Sequence, residues 1–185
     1  MPMPMNLSRS LLTILIPGLV ATAPWLLVLV QHTSATLGFD TNPTIANALV
    51  FALVAVVGSM CEGLGTYREA KWDAKLESKY SVQEHWHRYL AYRGEREPIA
   101  FRYLSRLVTT LYFELSMFFA VPFFILGACA LAALRFPQHQ SLFVISAIGL
   151  TPLSMWFFDY KARQTHEGMC KVRMHLNLPE LSHVS

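Results

Sequence analysis

Four long stretches of the chain are almost free of charged residues. They cover residues 11–30, 45–61, 107–134 and 142–158. A helix needs roughly 20 apolar residues to cross about 30 Å of hydrocarbon, and about 17 still suffice. Apolar residues make up 54% of the chain and charged residues only 15%, which is not the balance of a soluble globular domain. The pattern therefore predicts an all-α, polytopic membrane protein with four transmembrane helices.

The third stretch is longer than one crossing requires. A helix over residues 107–134 would extend about 42 Å, against about 30 Å of hydrocarbon. If its outer end lies next to Arg135, the crossing begins near Leu115. The first stretch exceeds the roughly 7 to 15 apolar residues of a signal-peptide core, so we expect it to remain as a helix. The predicted spans are about 11–30, 45–61, 115–134 and 142–158.

The basic residues are distributed very unevenly between the loops. Arg9, nine residues within 62–106 and four within 160–185 fall on one side of the predicted membrane, and Arg135 alone falls on the other. Lys and Arg near the ends of spans are retained in the cytoplasm. We therefore expect a multi-pass protein of the bacterial inner membrane with both termini cytoplasmic.

The long segment between spans two and three, residues 62–106, predicts a cytoplasmic helical hairpin. Residues 67–79 are mostly good helix formers, and Ser81 followed by Glu84 is the capping-box pattern that opens a second helix. Residues 160–185 form the predicted cytoplasmic tail. The chain thus reads as a single membrane domain with one helical insertion.

Three carboxylates fall at the same predicted boundary of the membrane. Glu62 ends span two, Glu114 precedes span three and Asp159 ends span four. A carboxylate at this depth normally faces the bundle interior or a wet cavity and has a partner. Two interpretations follow: a shared polar site for a cation, a lipid headgroup or a proton, or separate salt bridges to nearby Arg and Lys residues.

The sequence also contains one weak metal-binding pattern. Glu84 and His87 form a Glu-x-x-His motif next to His85, and bundle di-iron sites use two such motifs with two further carboxylates. The second motif is missing, because Arg163 stands three residues before His166. Nucleotide-binding and hydrolase motifs are also absent. We therefore predict no catalytic residue, metal site or cofactor.

Basic and aromatic residues alternate along the predicted hairpin. Trp, Tyr and Arg are favoured anchors of protein interfaces, and basic residues near the membrane are attracted to anionic lipid. Interspersed acidic residues weaken the basic field and disfavour nucleic-acid binding. The predicted interface residues are Arg68, Trp72, Trp86, Arg88, Arg93, Arg102 and Arg106.

These observations predict a non-enzymatic membrane protein that self-associates and presents a basic, aromatic helical surface to a cytoplasmic protein or to anionic lipid. A sensor or effector subunit of a bacterial defence or immunity module would fit that description. Two alternatives remain open from the sequence. One is an oligomeric ion or proton pathway lined by Glu62, Glu114 and Asp159, and the other is a membrane-bound metalloenzyme acting on lipid or quinone.

Overall fold

The computed structural model describes residues 11–33, 43–81, 84 and 99–176. These residues form helices and no strands. A short π-helical turn, Leu11–Leu15, leads into the first α-helix. The four α-helices are α1 (Ile16–Thr33), α2 (Pro43–Tyr80), α3 (Ile99–Arg135) and α4 (Gln140–Leu176).

Each of the four helices is long and apolar enough to cross a membrane, which confirms the prediction of four candidate spans. Helices α2, α3 and α4 are much longer than a crossing needs. A helix of 38 residues, the length of α2, extends about 57 Å. We call the part beyond the predicted spans the polar extension; it comprises residues 62–80 of α2, 99–114 of α3 and 159–176 of α4. The remainder is called the apolar half.

Helix α3 lies at the centre of the bundle. It packs against α1, α2 and α4, whereas α2 and α4 approach each other closely at few positions. A 3₁₀ turn, Pro137–His139, connects α3 directly to α4 and makes the two helices antiparallel neighbours. Contacts between α2 and α4 are therefore made by side chains that reach past α3.

Two glycines bring α1 and α2 together in the apolar half. A Cβ atom at Gly18 would overlap the carbonyl oxygen of Val54, and one at Gly58 would overlap that of Ile14. In lipid, helices associate through such close backbone packing, because burying apolar surface gains little there. At the α1–α3 contact, the Trp25 indole Nε1 donates a hydrogen bond to the Phe123 carbonyl oxygen at 3.0 Å.

Helix α2 ends close to the predicted end of its helix-forming segment, whereas α4 continues far beyond its predicted span. Ser81 has a φ of 45°, and its backbone N–H donates to the Glu77 carbonyl oxygen at 2.9 Å, so it ends α2. Apart from Glu84, the second helix of the predicted hairpin lies outside the described residues. Helix α4 continues past Asp159 to Leu176. Residues 160–176, which the sequence analysis assigned to a cytoplasmic tail, are therefore part of a bundle helix.

Candidate functional site in the polar extension

A salt-bridge network joins α2 to α4 where the polar extension begins. Asp159 accepts a short hydrogen bond from the Arg68 guanidinium and a second, at 2.9 Å, from Arg163 Nε one turn further along α4. The Arg68 guanidinium also lies 4.2 Å from the centre of the Phe118 ring. Asp159 is thus compensated by two cations, as the salt-bridge interpretation of the boundary carboxylates requires.

The other two boundary carboxylates have different surroundings. Glu114 accepts a hydrogen bond from the Thr165 hydroxyl at 2.7 Å. Glu62 is half-buried, and its carbonyl oxygen accepts from the Thr66 hydroxyl one turn later. Within the described part of the chain, Glu62, Glu114 and Asp159 do not form a group whose oxygen atoms could share one metal ion.

Further along the polar extension, a second group of charged side chains is enclosed by the helices. Glu69 and Asp73 stand one turn apart on α2, and the His166 imidazole faces them from α4. Their ligand atoms all lie within 4.8 Å of one another. The His166 Nε2 and Asp73 Oδ1 atoms are 2.7 Å apart. We call these three residues the polar triad.

The polar triad is shielded from solvent to different degrees. His166 is 1% exposed and Glu69 is 9% exposed, while the Asp73 side chain is 34% exposed. The Tyr112 hydroxyl of α3 hydrogen-bonds the Glu69 side chain. The buried guanidinium of Arg173 interacts electrostatically with both carboxylates, and its Nη2 contacts the Met169 sulfur at 3.0 Å. All three long helices therefore contribute side chains to the site.

Trp72 positions the polar triad from within the core. Its indole ring lies edge-on to the His166 imidazole, with 5.8 Å between ring centres. The Arg68 and Arg163 guanidinium groups lie 5.6 and 5.5 Å from the centre of the same indole. The surrounding apolar cluster consists of Trp72, Leu104, Leu111, Leu115, Ala162 and Met169.

The structure redistributes the predicted interface residues. Trp72 is 9% exposed and the Arg68 side chain is 30% exposed, so both take part in the bundle instead of standing free on its surface. Arg106 is exposed, and Arg102 lies in α3. Glu84, a metal candidate from the sequence, is exposed. The remaining candidates, His85, Trp86, His87, Arg88 and Arg93, lie outside the described residues.

Sequence reasoning missed the polar triad because it treated residues after Asp159 as a tail. One signal was nevertheless present. The inward positions of α4 recur every three or four residues, which is the spacing of one face of a helix. These positions are Ala162, His166, Met169, Cys170 and Arg173.

Charge is sorted between the inside and the outside of the polar extension. Of its seven described acidic residues, six are buried or half-buried and Glu167 alone is exposed. The six are Glu62, Glu69, Asp73, Glu77, Glu114 and Asp159. Its described basic residues mostly face outward. The exposed ones are Lys71, Lys75, Lys79, Arg106, Lys161, Arg163 and Lys171.

The polar extension thus combines an acidic interior with a basic outer surface.

Comparison with family models, with curated proteins and with solved structures found no match to this chain.

Proposed function

We propose that this chain is a non-enzymatic, multi-pass membrane protein that binds anionic lipid headgroups through the basic outer surface of its polar extension. The observation that carries the proposal is the sorting of charge: inward-facing acidic groups leave a mainly basic exterior. A chain with a net charge of only +3 therefore has a strongly cationic surface where it leaves the membrane.

Exposed aromatic side chains support this placement. Trp156 and Tyr160, at the end of the apolar segment of α4, are 65% and 50% exposed and stack with 6.0 Å between ring centres. On α2, Tyr67 is 64% exposed, and Lys71 Nζ lies 4.4 Å from the centre of its ring. Trp and Tyr favour the headgroup layer, where their rings contact apolar chains and their polar atoms contact water.

The positions of the basic groups along the helices also fit. At 1.5 Å per residue, Lys161 and Arg163 lie within about 6 Å of Asp159 along α4. Each headgroup layer is roughly 5 to 8 Å thick, and the Debye length at physiological salt is about 8 Å. These two residues can therefore contact lipid phosphates directly. Lys71 lies about 14 Å beyond Glu62, near the limit at which the electrostatic attraction to the phosphates is still felt.

The proposal includes three features that the sequence predicts: cytoplasmic orientation of the polar extension, self-association in the membrane, and a role as a sensor or effector subunit. The inner leaflet is the anionic one, so cytoplasmic orientation and headgroup binding support each other. The ion-pathway alternative receives less support, since Arg68 and Arg163 both compensate Asp159 at the boundary.

Lipid titration of the detergent-solubilised protein, followed by native mass spectrometry, tests the proposal. We expect phosphatidylglycerol to bind more tightly than phosphatidylcholine. Removing one boundary charge with Lys161→Gln should weaken phosphatidylglycerol binding roughly fivefold, the equivalent of about 1 kcal/mol per basic group.

Lys79→Gln is the matched control, because it removes the same charge from the same surface about 26 Å beyond Glu62. It should leave the affinity for phosphatidylglycerol nearly unchanged. Equal affinity of the wild type for both lipids, or equal weakening by the two variants, would contradict headgroup binding and favour an acidic protein as the occupant of this surface.

A further inference from the structure

We propose that Glu69, Asp73 and His166 bind one divalent transition-metal ion between α2 and α4. The inference goes beyond headgroup binding and depends on different residues. A set of one imidazole nitrogen and two carboxylates is a mixed donor set. Imidazole suits Zn²⁺ and Fe²⁺, and carboxylate suits Mn²⁺, so ions of this group match the polar triad better than Ca²⁺ or Mg²⁺.

The geometry of the polar triad is close to that of a coordinated ion. Zinc lies about 2.1 Å from His nitrogen and carboxylate oxygen, so two ligand atoms of one ion are at most about 4.2 Å apart. The three ligand atoms here lie within 4.8 Å of one another. In the tetrahedral arrangement that zinc favours, ligand atoms lie about 3.4 Å apart. The His166–Asp73 pair must therefore open by about 0.7 Å and the widest pair close by no more than about 1.4 Å, which side-chain rotations can supply.

Metal binding must replace the present contact between His166 and Asp73. Their 2.7 Å separation is that of a hydrogen bond, in which a proton lies between Nε2 and Oδ1. On binding, the ion takes this place, and the proton leaves Nε2 for Nδ1 or for solvent.

The charge of the site favours a cation. When both are ionised, Glu69 and Asp73 bring two negative charges, and Arg173 supplies one positive charge with electrostatic contact to both. One negative charge is left for a further cation when His166 is neutral. Because Glu69 is almost fully removed from water, leaving that charge uncompensated costs free energy. A divalent ion compensates it and also satisfies the ligand atoms.

Neighbouring residues already hold two of the ligands in place. The Tyr112 hydroxyl hydrogen-bonds the Glu69 side chain, and the Trp72 ring packs edge-on to the His166 imidazole. Partners of this kind orient metal ligands, and losing one typically lowers metal affinity about 10- to 100-fold. The ion would join α2 to α4, which otherwise have few close approaches to each other.

The test is metal titration of the full-length protein after chelator treatment, using Zn²⁺ and Mn²⁺ in calorimetry and Co²⁺ in visible absorption spectroscopy. We expect one ion per chain and d–d absorption bands of bound Co²⁺. His166→Gln should lower the metal affinity at least about tenfold. Losing a residue that only orients a metal ligand already lowers the affinity by that factor, and losing the ligand itself costs no less. Glu167→Gln, an exposed carboxylate next to His166, is the matched control and should bind like the wild type.

Glu69→Gln provides a second variant of nearly unchanged shape, and circular dichroism with size-exclusion chromatography shows whether each variant is folded. A folded wild type that binds no ion at millimolar metal would overturn the proposal. Equal affinity in the wild type, His166→Gln and Glu69→Gln would also overturn it. The lipid titration is independent of these measurements, so failure of either proposal can be recognised separately.

Discussion

The apolar half and the polar extension are built from the same helices but are held together differently. In the apolar half, α1 and α2 touch through their backbones at Gly18 and Gly58. In the polar extension, an aromatic and aliphatic cluster around Trp72 is combined with charged pairs that bridge α2 and α4. Water is the reason for the difference: it drives apolar burial in the extension, whereas lipid gives no such drive.

Charged contacts between helices are concentrated in one of the two regions. The described interhelical ion pairs lie in the polar extension, and the tightest glycine contacts lie in the apolar half. Loss of one Trp72 contact and loss of one glycine contact should therefore damage different parts of the same helices. Four experiments separate the two regions.

The largest effect is expected from Trp72→Ala. Removing a buried Trp typically costs about 3 to 5 kcal/mol, and Trp72 contacts the core, the His166 ring and two guanidinium groups. Hydrogen exchange read by mass spectrometry should show faster exchange in the polar extension and retained protection in the apolar half. Tyr67→Ala, at an exposed aromatic on the same helix, should leave the exchange pattern unchanged. Uniform loss of protection along α2 would show that the two regions unfold as one.

Gly58→Ala should have the next largest effect. The new Cβ would overlap the carbonyl oxygen of Ile14, so the π-helical turn that leads into α1 must move away from α2. Overpacking of this kind costs about 1 to 3 kcal/mol. Thermal unfolding in lipid nanodiscs measures the loss. Gly63→Ala is the control on the same helix, because its Cβ would meet nothing within 4 Å. The control should be neutral or slightly stabilising, since Ala favours helix over Gly. Equal melting temperatures for the two variants would contradict the backbone contact.

The Arg68–Asp159 pair should show a smaller but measurable coupling. Both side chains are partly shielded, at 30% and 19% exposure, so the pair lies between surface and buried salt bridges. A double-mutant cycle with Arg68→Met and Asp159→Asn should give a coupling of about 1 to 2 kcal/mol. A coupling near zero would mean that this pair does not hold α2 to α4.

The Arg163–Asp159 pair should give the smallest effect. It joins residues four apart on one helix, and the Arg163 side chain is 62% exposed. Pairs of this kind contribute about 0.3 to 0.5 kcal/mol and weaken with salt. A double-mutant cycle with Arg163→Gln and Asp159→Asn, measured at low and high salt, checks this value. A coupling energy as large as that of the Arg68–Asp159 pair would show that Arg163 also helps to hold α4 to α2.

Much of the fold could be predicted from the sequence, and less of the site. Apolar stretches identified four helices long enough to cross a membrane. The position of Glu114 just outside the third span stays a prediction. The sequence left open whether Asp159 belongs to a shared polar site or forms a salt bridge, and in the structure it pairs with Arg68. The polar triad was not predicted, because Asp73 and His166 are far apart in sequence and neither lies in a recognisable motif.

The sequence by itself determined which segments are apolar and where charge begins, because transfer of a helix from water to lipid depends on its own composition. Only the tertiary structure decided which charged groups meet. Which face of a helix turns inward depends on how it packs on its neighbours, here on how α2 and α4 are rotated about α3. That rotation brings Glu69 and Asp73 to His166 and leaves Lys71 and Lys161 on the outside.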